Sequence, residues 1–568
     1  MRWIYPEVNP GGIAEFAAQL GVTAVTSRLL IQRGYSDLSV ADQFLNPSLS
    51  NLSDPLRLGG MLSAVQRLEE ALRRQESVLI FGDYDVDGVT STTLLTHFLR
   101  QFGLNPRFIV PRRLEEGYGL SMESLERAIS VEKPDLLIAV DCGTSSTAEV
   151  AWLRKNGISV IILDHHAAKE DLPQDCDLVN PHVHDPDDAP WKHLCSVGLV
   201  FKFCHAVLKF LRQQSDPLAE KLDLRQYLDL VALGTVSDLV SLTGENRILV
   251  RRGLRALQAC KRPGICALMD VANIQLGQAL SAADIGFKLG PRINASGRLD
   301  DAALPIELLL GEDWQSCRDK AMLLDAHNAE RKDIEQWISR EAEAMVLKDF
   351  ADDAGLVVYA PHWHTGVVGI VASRLSRQFH RPALVIGADE ELCKGSGRSI
   401  PGVNLVEILS ESADCLERWG GHPMAIGLSI QSDQINDFRK AFNRSISGRF
   451  PDGLPERTLS IDAVLQASEL SSELLNELDA LGPFGQGMPE PIFALRNIRI
   501  ERPQFMKNNH FKFSLINPKT GHSTEAVAWG LKDKPDVRRP ADIAFRFHRD
   551  TWRGESKPRL TLIDWQQQ

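Results

Sequence analysis

From about residue 78 the chain alternates short, continuous apolar runs with helix-length segments. VLIFG, RFIVP, DLLIAVD and SVIILD are the apolar runs, and VTSTTLLTHFLRQFG, SMESLERAIS and AEVAWLRKNG lie between or after them. A strand that is apolar on both faces has to be covered on both. The pattern therefore predicts a parallel sheet flanked by crossover helices, a doubly wound α/β domain. In such sheets ligands gather beyond the carboxyl ends of the strands.

Residues 312–348 contain neither Gly nor Pro and are rich in helix formers, which predicts one long helix joining two lobes. LVVYA, GIVASRLSRQF, PALVIGA and KGSGRS then predict a second α/β unit. The last stretch, with TLSIDAVL, PIFALRNIRIE, HFKFSLI, EAVAWG, ADIAFRFHRD and RLTLIDW, predicts a small β-barrel or sandwich. The expected boundaries are an N-terminal segment 1–50, a catalytic domain 51–311, a linker helix 312–348, a second domain 349–455 and a C-terminal domain 456–568.

Composition narrows the class. At 568 residues the chain is too long for one core. With 43% hydrophobic residues it has no apolar run near the roughly 18–20 residues of a membrane span, and MRWIYPEVNPGGIAEF does not resemble a signal peptide. A cytoplasmic protein without membrane contact is expected. Nine cysteines, at 142, 176, 195, 204, 260, 266, 317, 393 and 415, form no C-x-x-C pair and read as reduced core residues. A net charge of −12 argues against indiscriminate coating of nucleic acid, though not against a local basic groove.

The chemistry sits where apolar runs end. VLIFG breaks into Asp83, Asp85 and Asp87; the next runs end in Asp141 and in Asp164-His165-His166; YLDLVALGTVSD ends in Asp238. A single Asp at a strand end is usually a cap or turn residue. Three carboxylates within five residues are redundant as caps, and a His pair beside another Asp is not explained by capping. Mixed carboxylate and imidazole donors suit two divalent ions, Mn²⁺ or Mg²⁺, better than a thiolate-rich zinc site.

GDYDVDG, VDCGT, LDHH and LGTVSD resemble the four motifs of the DHH phosphoesterase superfamily. WHTGVVGIVASRL, GSGRS, GGHPMAIGL and GPRINASGRL extend the resemblance over nearly the whole chain, to the branch of single-strand-specific 5′→3′ exonucleases. It implies a DHH catalytic domain, a second domain of the DHHA1 type and a C-terminal oligonucleotide-binding (OB) fold. Asp85 and Asp87 are then metal ligands with Asp83 close by, Asp141 a bridging ligand, His165 a ligand, and Asp238 the last of the set. His166 contacts the scissile phosphate or holds the site in shape, rather than binding metal directly. Arg113, Arg292, Arg298, Ser396, Arg398 and His422 handle substrate. Ser241 and Thr365 depart from the family pattern without touching a ligand position.

In the C-terminal region Phe511, Phe513, Trp529, Phe545, Phe547 and Trp552 accompany Lys507, Lys512, Arg546 and Arg553. Such a set can stack bases and track phosphates, or be half core. The implied activity is release of 5′-mononucleotides from single-stranded DNA in repair and recombination, by a monomer working with single-stranded-DNA-binding protein and a helicase. Two other readings stand beside it: a phosphodiesterase for short oligoribonucleotides or cyclic dinucleotides, and a catalytically silent scaffold.

Overall fold

The computed structural model describes the chain except residues 6–10, 113–115, 117–118, 169–170, 300–302, 390–391, 507–509, 517–522, 531–535, 537, 551–556 and 568, and the side chains of 298, 299, 389, 501, 502 and 516. The chain divides into two compact units. The smaller is mainly Leu323–Thr458; the larger holds Trp3–Gly297, Asp301–Met322 and Leu459–Gln568.

In the larger unit five strands, β1 (Val78–Gly82), β2 (Arg107–Ile109), β3 (Leu136–Val140), β4 (Ser159–Leu163) and β5 (Asp177–Val179), pair in the order β2-β1-β3-β4-β5. Every neighbouring pair is parallel. All five residues of β1 and of β3 are buried, as their uninterrupted apolar sequences require. The register aligns the carboxyl ends of four strands: Gly82 pairs with Val140, Val140 with Leu163 and Leu163 with Val179. Beyond that level edge the next residues are Asp83, Asp141, Asp164 and Asn180.

The N-terminal helices α1 (Ile13–Leu20), α2 (Ala24–Gln32) and α3 (Leu38–Leu45) share one core with the C-terminal sheet: Phe16, Leu29, Leu30 and Phe44 pack with Phe493, Phe513 and Phe545. That sheet comprises β11 (Ala463–Val464), β12 (Phe493–Ile498), β13 (Glu501–Phe505), β14 (Phe511–Ile516), β15 (Ser523–Ala528), β16 (Ala541–Asp550) and β17 (Lys557–Gln566), in the order β11-β12-β16-β17-β15-β14-β13. Phe511, Phe513, Phe545 and Phe547 are all core residues, which assigns the alternating aromatics to packing, whereas Trp529 is 56% exposed. Trp552, Lys507 and Arg553 lie outside the described residues; Lys512 and Arg546 pair with Glu525 and Glu490.

The smaller unit carries β6 (Leu356–Ala360), β7 (Ala383–Asp389), β8 (Leu392–Arg398), β9 (Arg418–His422) and β10 (Ala425–Ile430), in the order β9-β10-β8-β7-β6. Alternate residues of β6 go to opposite faces: Leu356, Val358 and Ala360 pack with Ile338, Ala342 and Val346 of one long helix, and Val357 packs with Phe438 and Phe442. That helix is continuous from Trp314 to Asp349, as the Gly- and Pro-free stretch predicts. Among the described residues no helix is long and apolar enough to cross a membrane.

One expectation is corrected. Cys260 and Cys266 form a disulfide, while the other seven cysteines are free. The turn between two helices brings the pair together, with Cys260 in the left-handed region at φ 43°, and a spacing of six carries no signature in sequence.

A buried arginine ties the larger unit together. Arg247, 2% exposed, sits on α9 (Gly244–Ala259) and donates to the carbonyl oxygens of Phe44 (3.1 Å), Ala480 (3.1 Å) and Leu481 (2.8 Å). Those carbonyls end α3 and α14 (Ser472–Leu481), where helix carbonyls lack partners and a cation is favoured. Its guanidinium also lies 3.6 Å from the centroid of the Phe44 ring. Arg247→Met keeps the packing volume but strands the carbonyls of Phe44 and Leu481, while that of Ala480 keeps Arg251 as a donor. It is expected to cost on the order of 2–4 kcal/mol, read as a lower urea midpoint for the transition of this unit.

Candidate metal centre

Each acidic side chain is placed by a local feature of the chain. α4 (Val86–Arg100) begins just past β1, and Asp85 is its N-cap, accepting from the N–H groups of Asp87 (2.9 Å) and Gly88 (3.1 Å). The capping reading thus holds for one carboxylate of the three, and Asp87 is left to point elsewhere. Gly88 allows the turn: a Cβ there would lie 2.3 Å from the Asp83 carbonyl oxygen. Asp141 ends β3 at φ 65°, a backbone region costly for most side chains and more often taken by Asp and Asn.

Two further helices close the site. α7 (Ser196–Gln213) starts against Asp87, whose Oδ2 accepts from the N–H of Ser196 (2.6 Å) and whose Oδ1 accepts from that of Val197 (2.8 Å). The hydroxyl of Ser196 donates to Asp141 Oδ1 at 3.0 Å. Asp238 stands at the C-terminus of α8 (Leu228–Ser237), the end of a helix that disfavours negative charge. α8 approaches closely because of Gly234, where a Cβ would lie 2.3 Å from Thr90 Oγ1 and 3.1 Å from Asp87 Oδ1.

The donors converge. His165 Nε2 is 3.4 Å from Asp141 Oδ1, 3.4 Å from Asp238 Oδ2 and 3.8 Å from Asp87 Oδ2. Three overlapping trios, Asp83/Asp85/Asp141, Asp87/His165/Asp238 and Asp141/His165/His166, offer ligand atoms within 4.8 Å of one another. His165 Nε2 and Asp238 Oδ2 are buried and have no hydrogen-bond partner. Burial without a partner is costly for such atoms, and a divalent cation among them would satisfy both. Cys142 and Cys195 border the cluster, but burial pushes both thiols well above their ordinary value, leaving oxygen and imidazole as the donor set.

Electrostatics separate the members. Burial, then the charge of Asp87 and Asp85, raises Asp238 to about 9; burial, then Asp85, raises Asp87 to about 6. Asp141 is raised well above the usual carboxylate range by burial and then by Asp87, Asp85, Asp83 and Asp238. The two histidines diverge. Burial, then its neighbour His166, lowers His165 to about 4, so it is a neutral imidazole at neutral pH. Burial also opposes charge on His166, yet the bond from its Nδ1 to Asp164 Oδ1 (2.7 Å) and that carboxylate's charge hold it at about 9.

Asp164 belongs to this machinery although its motif position singles out only the histidines. Its Oδ1 also accepts from the N–H groups of His165 (2.8 Å) and His166 (3.2 Å), and its Oδ2 from that of Thr144 (3.1 Å). Asn180 completes the shell, donating to Thr144 Oγ1 (2.8 Å) and to the His166 carbonyl (2.9 Å). Asp164 is legible in sequence as the first residue after a strand; Asn180 and Ser196 carry no local signal.

The residues expected to handle substrate lie in several parts of the fold. Ser396 and Arg398 lie two residues apart on β8 and share a face; Arg398 Nη1 donates to Ser396 Oγ (3.0 Å) and to the Gly397 carbonyl (2.8 Å). Gly369, in the first turn of α12 (Val368–Phe379), comes against both: a Cβ there would lie 3.0 Å from Ser396 Oγ and 3.4 Å from Arg398 Nη2. An arginine beside a helix N-terminus is an arrangement suited to phosphate. His422 is exposed at the end of β9, the strand beyond β10 from this pair. Arg292, on α10 (Gly290–Leu299), is 9% exposed and donates to the carbonyls of Lys288 (2.6 Å) and Val271 (3.4 Å). Arg113 and the side chain of Arg298 lie outside the described residues.

Comparison with known proteins gives this geometry its class. The model of the DHH family, N-terminal domain, matches residues 77–235, that of the DHHA1 domain 352–448, and that of the RecJ OB domain 461–564. The chain is thus a DHH-type phosphoesterase with DHHA1 and OB domains. It is 37% identical over 557 residues to the single-stranded-DNA-specific exonuclease RecJ of Dickeya dadantii, covering 95% of each chain. The crystal structure of Thermus thermophilus RecJ in complex with Mn²⁺ matches all of this chain and 79% of its own, with a TM-score of 0.83 at 28% identity. The complex of the same protein with Mg²⁺ gives 0.78 at 27%, covering all of this chain and 78% of its own. The chain belongs to the RecJ family.

The metal-free protein has a defined pH response. Asp238, held near 9 against an ordinary 3.8, and His166, held near 9 against 6.5, both keep protons in the folded state that the unfolded chain releases. Stability therefore falls as pH rises from 6.5 to 9. His165, lowered to about 4, acts in the opposite sense only below 6.5. In EDTA the melting temperature should drop across that window and drop less in Asp238→Asn; equal slopes would show that Asp238 is not shifted.

Proposed function

We propose that this chain is a metal-dependent exonuclease that hydrolyses single-stranded DNA from its 5′ end and releases 5′-mononucleotides in repair and recombination. The observation that carries the reading is the convergence of carboxylates and imidazole around two buried polar atoms without hydrogen-bond partners, on the ligand-binding rim of a doubly wound sheet. Membership of a family whose relatives are single-stranded-DNA-specific exonucleases supplies the substrate class.

In this reading Asp83, Asp85, Asp87, Asp141, His165 and Asp238 hold two divalent ions, Mn²⁺ or Mg²⁺. When bound, such ions lower the pKa of water and offset charge on the phosphate oxygens. The protein's own groups do the rest. Neutral His165 presents a lone pair, while the Ser196 and Val197 amides fix Asp87. His166, about half-exposed and kept charged by Asp164, offers an N–H to an oxygen of the scissile phosphate. Arg398 and Ser396 take the terminal 5′-phosphate, since a guanidinium fork matches two phosphate oxygens. The OB domain favours a long strand over a dinucleotide. The enzyme then works as a monomer on strands exposed by a helicase and bound by single-stranded-DNA-binding protein.

Digestion of long single-stranded DNA labelled at either end, with Mn²⁺ or Mg²⁺ and an EDTA control, tests this. Metal-dependent loss of the 5′ label as mononucleotide, with duplex spared, is expected. Cleavage of dinucleotides but not DNA would place the chain in the small-substrate branch, and silence on both would favour a scaffold. Asp141→Ala should reduce hydrolysis to background while leaving DNA binding in place; wild-type turnover would sink the ligand assignment. Arg398→Ala should raise KM for 5′-phosphorylated DNA about tenfold or more without changing Mn²⁺ affinity; an unchanged KM would remove Arg398 from the phosphate site.

A further inference from the structure

We propose that Ser196 is a positioning residue for the metal centre: its hydroxyl sets the orientation of the Asp141 carboxylate and thereby the affinity of the cluster for divalent ions. This rests on the reading of Asp141 as a metal ligand.

The terminal torsion of an Asp side chain is soft, with a broad distribution of angles. A carboxylate that has to present its oxygens to ions in one orientation therefore needs an outside restraint, the role partners of ligands play in metal sites generally. Asp87 has such a restraint from the backbone, because both its oxygens are held by N–H groups of the first turn of α7. Any residue at 196 other than Pro would supply that. Asp141 is different. Among the described residues its carboxylate accepts a hydrogen bond from one group, the Ser196 hydroxyl at 3.0 Å, contributed from 55 positions further along the chain.

The usual reason for Ser at a helix start does not apply. The N-cap of α7 is Cys195, which makes no side-chain capping bond, and Ser196 is the residue after it. Ser196 is fully buried, so its hydroxyl is not there for solvent. It sits with one group on each of two carboxylates, its amide on Asp87 and its hydroxyl on Asp141, and couples the helix to the end of β3. His165 Nε2 lies 3.4 Å from the same Oδ1, so a rotation of Asp141 would disturb the imidazole contact as well.

The test is Mn²⁺ titration of the EDTA-treated full-length protein, followed by calorimetry or by the magnetic-resonance signal of the free ion. Ser196→Ala, which keeps the backbone amide on Asp87, should bind Mn²⁺ about tenfold or more weakly, while the metal-free protein stays folded and loses only the melting temperature that one unsatisfied buried acceptor costs. In an Asp141→Ala background the same substitution should have no further effect on affinity, because the group it acts through is gone. Unchanged affinity in Ser196→Ala overturns the proposal, as does an equal loss in both backgrounds. If Ser196→Ala does not fold, Ser196→Gly removes the same hydroxyl and is read the same way. Wild-type protein that fails to bind Mn²⁺ would instead overturn the function proposed above.

Discussion

The site depends on the register of a parallel sheet. Gly82, Val140 and Leu163 are paired neighbours across β1, β3 and β4, so the residues immediately after them have to emerge side by side. Those residues are Asp83, Asp141 and Asp164, each about 1% exposed. The free energy that holds the strands level comes from apolar burial within the sheet, while the charges at its rim oppose folding. The hydrophobic core thus imposes a concentration of negative charge that the carboxylates would not adopt by themselves.

The surrounding structure moderates that charge without removing it. The first turn of α7 directs amides at Asp87, and Asp85 spends part of its capacity capping α4. Gly88 and Gly234 let backbone come close enough to keep the cluster tight. Asp238, by contrast, is set at the end of a helix that disfavours an anion, which with burial and its acidic neighbours keeps it protonated to about pH 9. His165 and His166 show how far position outweighs residue type. One is kept neutral by burial and the other charged by Asp164, so adjacent imidazoles differ in charge at neutral pH.

The rest of the larger unit holds this rim in place. Arg247 links the catalytic domain to the carbonyl ends of helices from both termini of the chain, and the N-terminal helices share their core with the C-terminal sheet. In the smaller unit Gly369 brings a helix start against Ser396 and Arg398, so the glycines of GSGRS are not the only ones that matter there.

Much of this was legible in the chain itself. Periodicity sufficed for the buried strands, the long helix and the order of the three domain types, because burial on one or both faces leaves a local trace. Asp83, Asp85 and Asp87, and the DHH triplet, stand out because their spacing exceeds what capping needs. Other features have no such trace. Ser196 meets Asp141, and Asn180 meets Thr144, across 55 and 36 residues of chain, so only the fold pairs them. The C-terminal phenylalanines fitted a base-stacking face as well as a core until the sheet and the N-terminal helices enclosed them. Cys260 and Cys266 met only through a turn. Sequence by itself determined which residue types stand at the strand ends; tertiary structure decided which atoms face one another, because hydrogen bonds and charge act over a few ångströms of space and not along the chain.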